Sequence, residues 1–141
     1  MTKCSERGFS LVDNPSIAKQ IINALFWMDS NERFTLGAFV IMPDHYHMVI
    51  ILNESSSLDS VLKSLGSYTA RNINRRFQKK GRLWQKGYYD RAIRKSDDID
   101  GIFAYIHNNP VRKELTDTAE TWPFSSLNKR YYKKINWELF T

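Results

Sequence analysis

Two histidines and a tyrosine–asparagine pair carry the chemistry that this sequence offers. His45 and His47 stand two apart in the run Met42-Pro43-Asp44-His45-Tyr46-His47-Met48. Side chains alternate along a β-strand, so both imidazoles share one face and Tyr46 takes the other. Two adjacent imidazoles are a ready pair of ligands for a divalent cation. The plainer reading is a polar strand edge facing solvent. The apolar run Met48 to Leu52 argues for a central strand, where a histidine pair needs partners. Later in the chain, Tyr105 and Asn109 lie four apart and are neighbours on one edge of a helix, with His107 turned to the opposite side. Tyr105 taken alone reads as packing beside a core stripe. A phenol titrates near 10 and is a weak nucleophile at neutral pH, so it needs an activated electrophile. A cation on His45 and His47, completed by the Asn109 carbonyl, would polarise a scissile phosphate and stabilise the leaving alkoxide.

Those residues need a scaffold. Asn14-Pro15-Ser16 opens a helix that carries Ile17, Ile21, Ala24 and Leu25 to about Met28, and Ser30-Asn31-Glu32 breaks it. Phe34 to Ile41 reads as a strand, Met42-Pro43-Asp44 as a turn and His45 to Leu52 as a second strand, together an antiparallel hairpin. Ser55-Ser56-Ser57 caps a long helix from about Leu58 to Lys79, with Val61, Leu62, Leu65, Tyr68 and Ile73 as its apolar points and Gly81 as its end. Tyr88 to Ile93 reads as a short strand. Ser96, followed by Asp97 and Asp98, starts a helix that runs to Asn109 and stops at Pro110. With a short first strand inside Met1 to Glu6, the order becomes β-α-β-β-α-β. That is an α+β, ferredoxin-like antiparallel sheet with helices on one face, followed by a basic, aromatic C-terminal tail.

Length and composition fit one domain over residues 1–141. No apolar run approaches the ~20 residues of a membrane span, no secretory leader is visible and the lone Cys4 cannot form an internal disulfide, so a cytoplasmic protein is expected. The net charge of +6 is unevenly spread. From Val61 to Lys95 there are eleven Lys or Arg and one acid, Asp90, a local balance of +10. Asp90 is expected to pair with Arg91 or Arg94. Such a split points to a basic face that meets a polyanion, and a solvated helix face is the plainer alternative. Interleaved aromatics (Tyr68, Phe77, Trp84, Tyr88, Tyr89) favour single-stranded nucleic acid, although Trp84, Tyr88 and Trp122 read as core rather than as stacking platforms. Lys63, Arg71, Arg75, Arg76, Lys79 and Arg82 are the candidate phosphate contacts.

Four segments, in order, resemble the single-tyrosine HUH transposases (the IS200-like family), and within them the branch associated with repetitive extragenic palindromes. They are Val40 to Val49, Gly81 to Asp90, Tyr105-Ile-His-Asn-Asn-Pro-Val-Arg112 and Trp122-Pro-Phe-Ser-Ser126. The resemblance implies cleavage of single-stranded DNA that depends on Mg²⁺ or Mn²⁺. Tyr105 would be the nucleophile and form a 5′-phosphotyrosine, leaving a 3′-hydroxyl that can later rejoin DNA. His45, His47 and Asn109 would be the metal ligands, and DNA hairpins with single-stranded flanks the partners. The first strand looks short beside the family pattern, and a monomer with a complete site is favoured over a dimer. A hairpin-binding regulator that no longer cuts is the alternative, and an RNA-binding sheet a distant third. The intact set of His45, His47, Tyr105 and Asn109 favours the enzyme.

Overall fold

A capping side chain starts each of the three main helices. In the computed structural model, which describes residues 1–141, α1 spans Pro15–Ser30, with Asn14 accepting from the Ser16 amide and Pro15 in the first turn. Helix α2 spans Leu58–Arg76, with Ser57 accepting from the Ser60 amide. Helix α3 spans Ile99–His107 and is capped by Asp98, which accepts from the Gly101 amide. The expected cap, Ser96, lies two residues too early. Asp97 is engaged elsewhere, accepting from Arg91 Nη2 at 3.0 Å and from the Arg94 amide at 2.7 Å. Asp90 pairs with neither Arg91 nor Arg94, contrary to expectation.

The hairpin falls where the alternation places it: β2 over Phe34–Ile41 and β3 over His45–Leu52. The short first strand, β1, is Thr2–Cys4 and runs antiparallel to β3, with Thr2 opposite His47 and Cys4 opposite His45. The sheet is three-stranded, in the order β1-β3-β2. The expected strand from Tyr88 to Ile93 is only an isolated bridge, in which Thr2 and Tyr89 exchange both backbone hydrogen bonds, at 2.7 and 3.0 Å. Three residues of β1 offer too little edge for a longer partner.

Helices flank the sheet on both sides, where one face was expected. Tyr46 points to the α2 side, its ring 5.4 Å from that of Trp84, whose indole N–H donates to Thr69 Oγ1 on α2 at 2.9 Å. Helix α1 packs with α2 on that side. Helix α3 and the turn after it lie on the histidine side, where β2 is buried along nearly its whole length. A strand covered on both faces reads as the near-continuous apolar run seen here.

The free edge of β2 is closed by the Trp122-Pro-Phe-Ser-Ser126 segment. Ile41 N–H donates to Phe124 O at 2.8 Å, Ser126 N–H donates to Phe39 O at 3.0 Å, and the Trp122 indole donates to Ile41 O at 3.0 Å. Pairing removes the exposed donors and acceptors that make open edges aggregate. The basic tail returns to the core through Tyr131 and Ile135, leaving Lys129, Arg130, Lys133 and Lys134 outside. No helix is long and apolar enough to cross a membrane.

Candidate active site

Strand β3 delivers both imidazoles to one face. Each is aimed by its Nδ1 atom. His45 Nδ1 lies 2.6 Å from the Asp44 carboxylate and His47 Nδ1 lies 2.7 Å from Thr2 Oγ1, the residue that the sheet register places opposite it. The two Nε2 atoms face each other at 3.1 Å, and with a proton on each Nδ1 their lone pairs would converge on one point. Carboxylate or hydroxyl partners behind metal-bound histidines fix ring orientation in the same way. Burial is the main cause that pushes His47 down to about 4, helped by the charges of His45, the amino terminus and Arg112. Its ring is therefore neutral at pH 7, the form that donates to a metal. The hydrogen bond to His45 holds the Asp44 carboxyl below its usual range.

Asn109 joins the pair. Its carboxamide nitrogen, as oriented, lies 3.5 Å from His45 Nε2, and a flip of the amide presents the carbonyl oxygen instead. Helix α3 ends at His107, two residues short of the expected stop. Asn109 opens a single further turn, α4 (Asn109–Arg112), with Pro110 in its first turn, where the missing amide hydrogen leaves nothing unsatisfied. The break buries Asn109, at 5% exposure, while Tyr105 one turn earlier is 63% exposed. The donor set suits a divalent ion that accepts imidazole and carboxamide ligands and completes its shell with phosphate or water oxygens. No three His, Cys, Asp or Glu side chains cluster here, so the two histidines need Asn109 or a substrate oxygen as a third donor.

Tyr105 is not hydrogen-bonded to the histidines, and its phenol oxygen has no partner within the chain. Arg112 holds it instead, with the guanidinium carbon 3.9 Å from the ring centroid and Nη2 donating to Tyr105 O at 2.7 Å. Tyr105 also borders an open cleft of about 500 Å³ beside Asp98 and the Arg91–Asp97 pair. His107 points away from this side, as its helical position predicts. Its Nε2 meets Ser126 Oγ at 2.7 Å, and that oxygen accepts from the Phe39 amide at 2.9 Å. Burial lowers His107 to about 4.

The candidate phosphate contacts divide. Lys63, Arg71, Arg75 and Arg76 are exposed on α2, and none takes part in an ion pair. Helix α2 ends at Arg76, earlier than expected, because Gln78 adopts a left-handed conformation (φ 51°). Lys79 and Arg82 therefore lie beyond the helix, and Lys79 covers the Phe9 ring at 4.0 Å. Trp84 and Trp122 are buried, so both belong to the core. Tyr88 is tied to Asp59 at 2.5 Å, and that bond is the main cause that raises its phenol to about 12. Thr2, Asp44 and Arg112 were not singled out from sequence. Asp44 adjoins His45, but Thr2 becomes visible only through strand register, and Arg112 only as the last residue of the tyrosine motif.

Residues 4–109 match the family described as "Transposase IS200 like", a span that holds both histidines, the tyrosine and the asparagine. The REP-associated tyrosine transposase of Escherichia coli strain K12 is 26% identical over 76% of this chain and 62% of its own length. A related REP-associated tyrosine transposase sequence from Haemophilus influenzae is 26% identical over 68% of this chain and 60% of its own. The chain thus spans about three-fifths of these two relatives. The structure of a REP-associated tyrosine transposase bound to a REP hairpin superposes with a TM-score of 0.74 at 21% identity, over 89% of this chain and 73% of that one, and supports the fold. With three-quarters of its length matched by the family, the chain belongs to the IS200-like transposases.

Proposed function

We propose that this protein cleaves and rejoins single-stranded DNA at hairpin ends, with Tyr105 as nucleophile and His45, His47 and Asn109 holding Mg²⁺ or Mn²⁺. The observation that carries the reading is the pair of Nε2 atoms facing each other at 3.1 Å, each ring held from behind at Nδ1. With a proton on each Nδ1, the two Nε2 lone pairs repel at that distance, and a cation between them relieves the repulsion. A bound divalent ion would supply Lewis-acid polarisation of the scissile phosphate and stabilisation of the leaving oxygen.

The chain's own residues do the rest. The Tyr105 phenol gives its proton to water, and its oxygen attacks phosphorus. The P–O3′ bond breaks, and the leaving oxygen takes a proton to become a 3′-hydroxyl. Tyr105 keeps the 5′-phosphate as a phosphodiester, so its bond energy is conserved. Attack by a 3′-hydroxyl on that linkage reforms DNA and releases the phenol without ATP. Arg112, which already covers the phenol ring, carries N–H groups that suit a phosphate. The unpaired bases of α2 suit the DNA backbone. Asn109 approaches His45 from the same chain, which supports a complete site in a monomer. A cytoplasmic location suits a DNA substrate and a lone cysteine.

The test is a denaturing gel of the purified chain with labelled hairpins carrying single-stranded flanks, of the REP type first, plus Mg²⁺ or Mn²⁺. A covalent, protease-sensitive adduct is expected, absent with Tyr105→Phe and with chelator. Tight binding without an adduct on REP-type and other hairpins would instead establish a non-cutting hairpin binder.

A further inference from the structure

Sequence periodicity puts Tyr68 among the core points of α2, yet its ring is 48% exposed. It lies against Trp27 of α1, itself 54% exposed, with ring centroids 6.4 Å apart and planes only 14° from parallel. Two large aromatic rings left jointly in water are unusual when a core is available a turn away. Beneath them, a shallow cavity of about 170 Å³ opens between α1 and α2, floored by Ala24, Met28 and Leu65 and flanked by Arg33. Arg71 follows Tyr68 by one helical turn, and Arg75 follows Arg71 by another. Neither Arg33, Arg71 nor Arg75 has an acidic partner.

We infer that Trp27 and Tyr68 form a stacking platform for an unpaired DNA base, with Arg33 and Arg71 taking the adjoining phosphates. Parallel rings offer a π surface to any base, and unpaired guanidinium groups offer the charge that a single strand requires. Helices α1 and α2 cover the face of the sheet opposite His45 and His47, as the Tyr46–Trp84–Thr69 contacts establish. The platform therefore holds a nucleotide remote from the phosphate that is cut, and it serves recognition rather than cleavage. This inference rests on the DNA reading of the previous subsection but not on the cleavage step.

The experiment uses the full chain carrying Tyr105→Phe, so that binding is measured without turnover. Affinities are compared for one hairpin with single-stranded flanks and for the same hairpin made blunt. Trp27→Ala and Tyr68→Ala are each expected to weaken the flanked DNA roughly 5- to 100-fold, with less than about a twofold effect on the blunt form, and Trp27→Phe is expected to retain most of the affinity. Flanked DNA should also quench a tryptophan signal that Trp27→Phe abolishes, because Trp84 and Trp122 are buried and the half-buried Trp137 packs against Phe103 and His107, away from the platform. Both rings are exposed, so the variants keep the fold, checked by thermal melting. Unchanged affinity for flanked DNA, or equal losses on both DNAs, overturns the platform. Unchanged affinity with an altered sedimentation profile overturns it in favour of contact with a second copy. If wild-type protein binds neither DNA, the platform falls with the DNA reading. An adduct that survives Tyr105→Phe refutes the cleavage assignment and leaves the platform standing.

Discussion

Arg112→Ala is the substitution that most directly probes how Tyr105, the proposed nucleophile, is held. The guanidinium stacks on the Tyr105 ring at 3.9 Å and donates to the Tyr105 carbonyl at 2.7 Å, and the phenol has no other polar contact. A cation over an exposed ring contributes about 0.5–1 kcal/mol. The hydrogen bond to the main-chain carbonyl anchors Arg112 over the ring rather than holding the ring itself. Losing the cation should therefore slow a step that needs this rotamer by about 2- to 5-fold. The assay is single-turnover formation of the covalent adduct at saturating DNA, with affinity measured separately. Arg112→Lys should recover part of the rate, since an ammonium can sit over the ring but cannot also fork to the carbonyl. A rate unchanged at saturating DNA would refute the reasoning. So would a loss confined to affinity, because Arg112 would then be one more phosphate contact.

Burial keeps His107 neutral down to about pH 4, whereas the unfolded residue takes a proton near 6.5. The unfolded chain therefore binds more protons between those values, and stability should fall on acidification from about 6.5 to 4, by up to roughly 3 kcal/mol from this residue. His47 acts in the same direction; urea melts across that range should show a shallower slope in His107→Asn. Thr69→Val removes the acceptor of the Trp84 indole, bonded at 2.9 Å, and leaves a buried N–H unsatisfied. A loss of about 1–3 kcal/mol is expected in denaturant melts, and an unchanged midpoint would show that the indole finds another partner. Arg71→Ala and Arg75→Ala should each reduce the slope of log affinity against log salt by about 0.7–0.9, read from binding isotherms at several salt concentrations; a slope left intact by both would remove α2 from the DNA interface.

Local rules carried the hairpin and the histidine pair, because period-two alternation and a Pro-Asp turn leave little freedom between Phe34 and Leu52. They also placed β1 and the start of α1. They failed where tertiary context decides. The segment from Tyr88 to Ile93 has strand composition but finds only Thr2 as partner. Asp97 looked like a first-turn acid and instead serves Arg91 and the Arg94 amide. Tyr68 fits the apolar stripe of α2 by angle, yet Trp27 on the facing helix takes it to the surface. The Tyr105–Asn109 pair was legible from its spacing, but the helix break that buries Asn109 while leaving Tyr105 in solvent was not, because proline at the start of a new turn and proline as a stop look alike in one dimension.

Thr2 does two jobs with one residue. Its backbone exchanges both hydrogen bonds with Tyr89, and its hydroxyl meets His47 Nδ1 at 2.7 Å. Strand β1 has only three residues, so it is among the first elements to open in local fluctuations. The orientation of the His47 ring is thus thermodynamically linked to the docking of the loop around Tyr89, some forty positions further along the chain. If His47 holds an ion as proposed, reciprocity requires that the ion tighten that loop as much as loop docking tightens the ion. Amide exchange at Tyr89 would then report occupancy of a centre that it never touches.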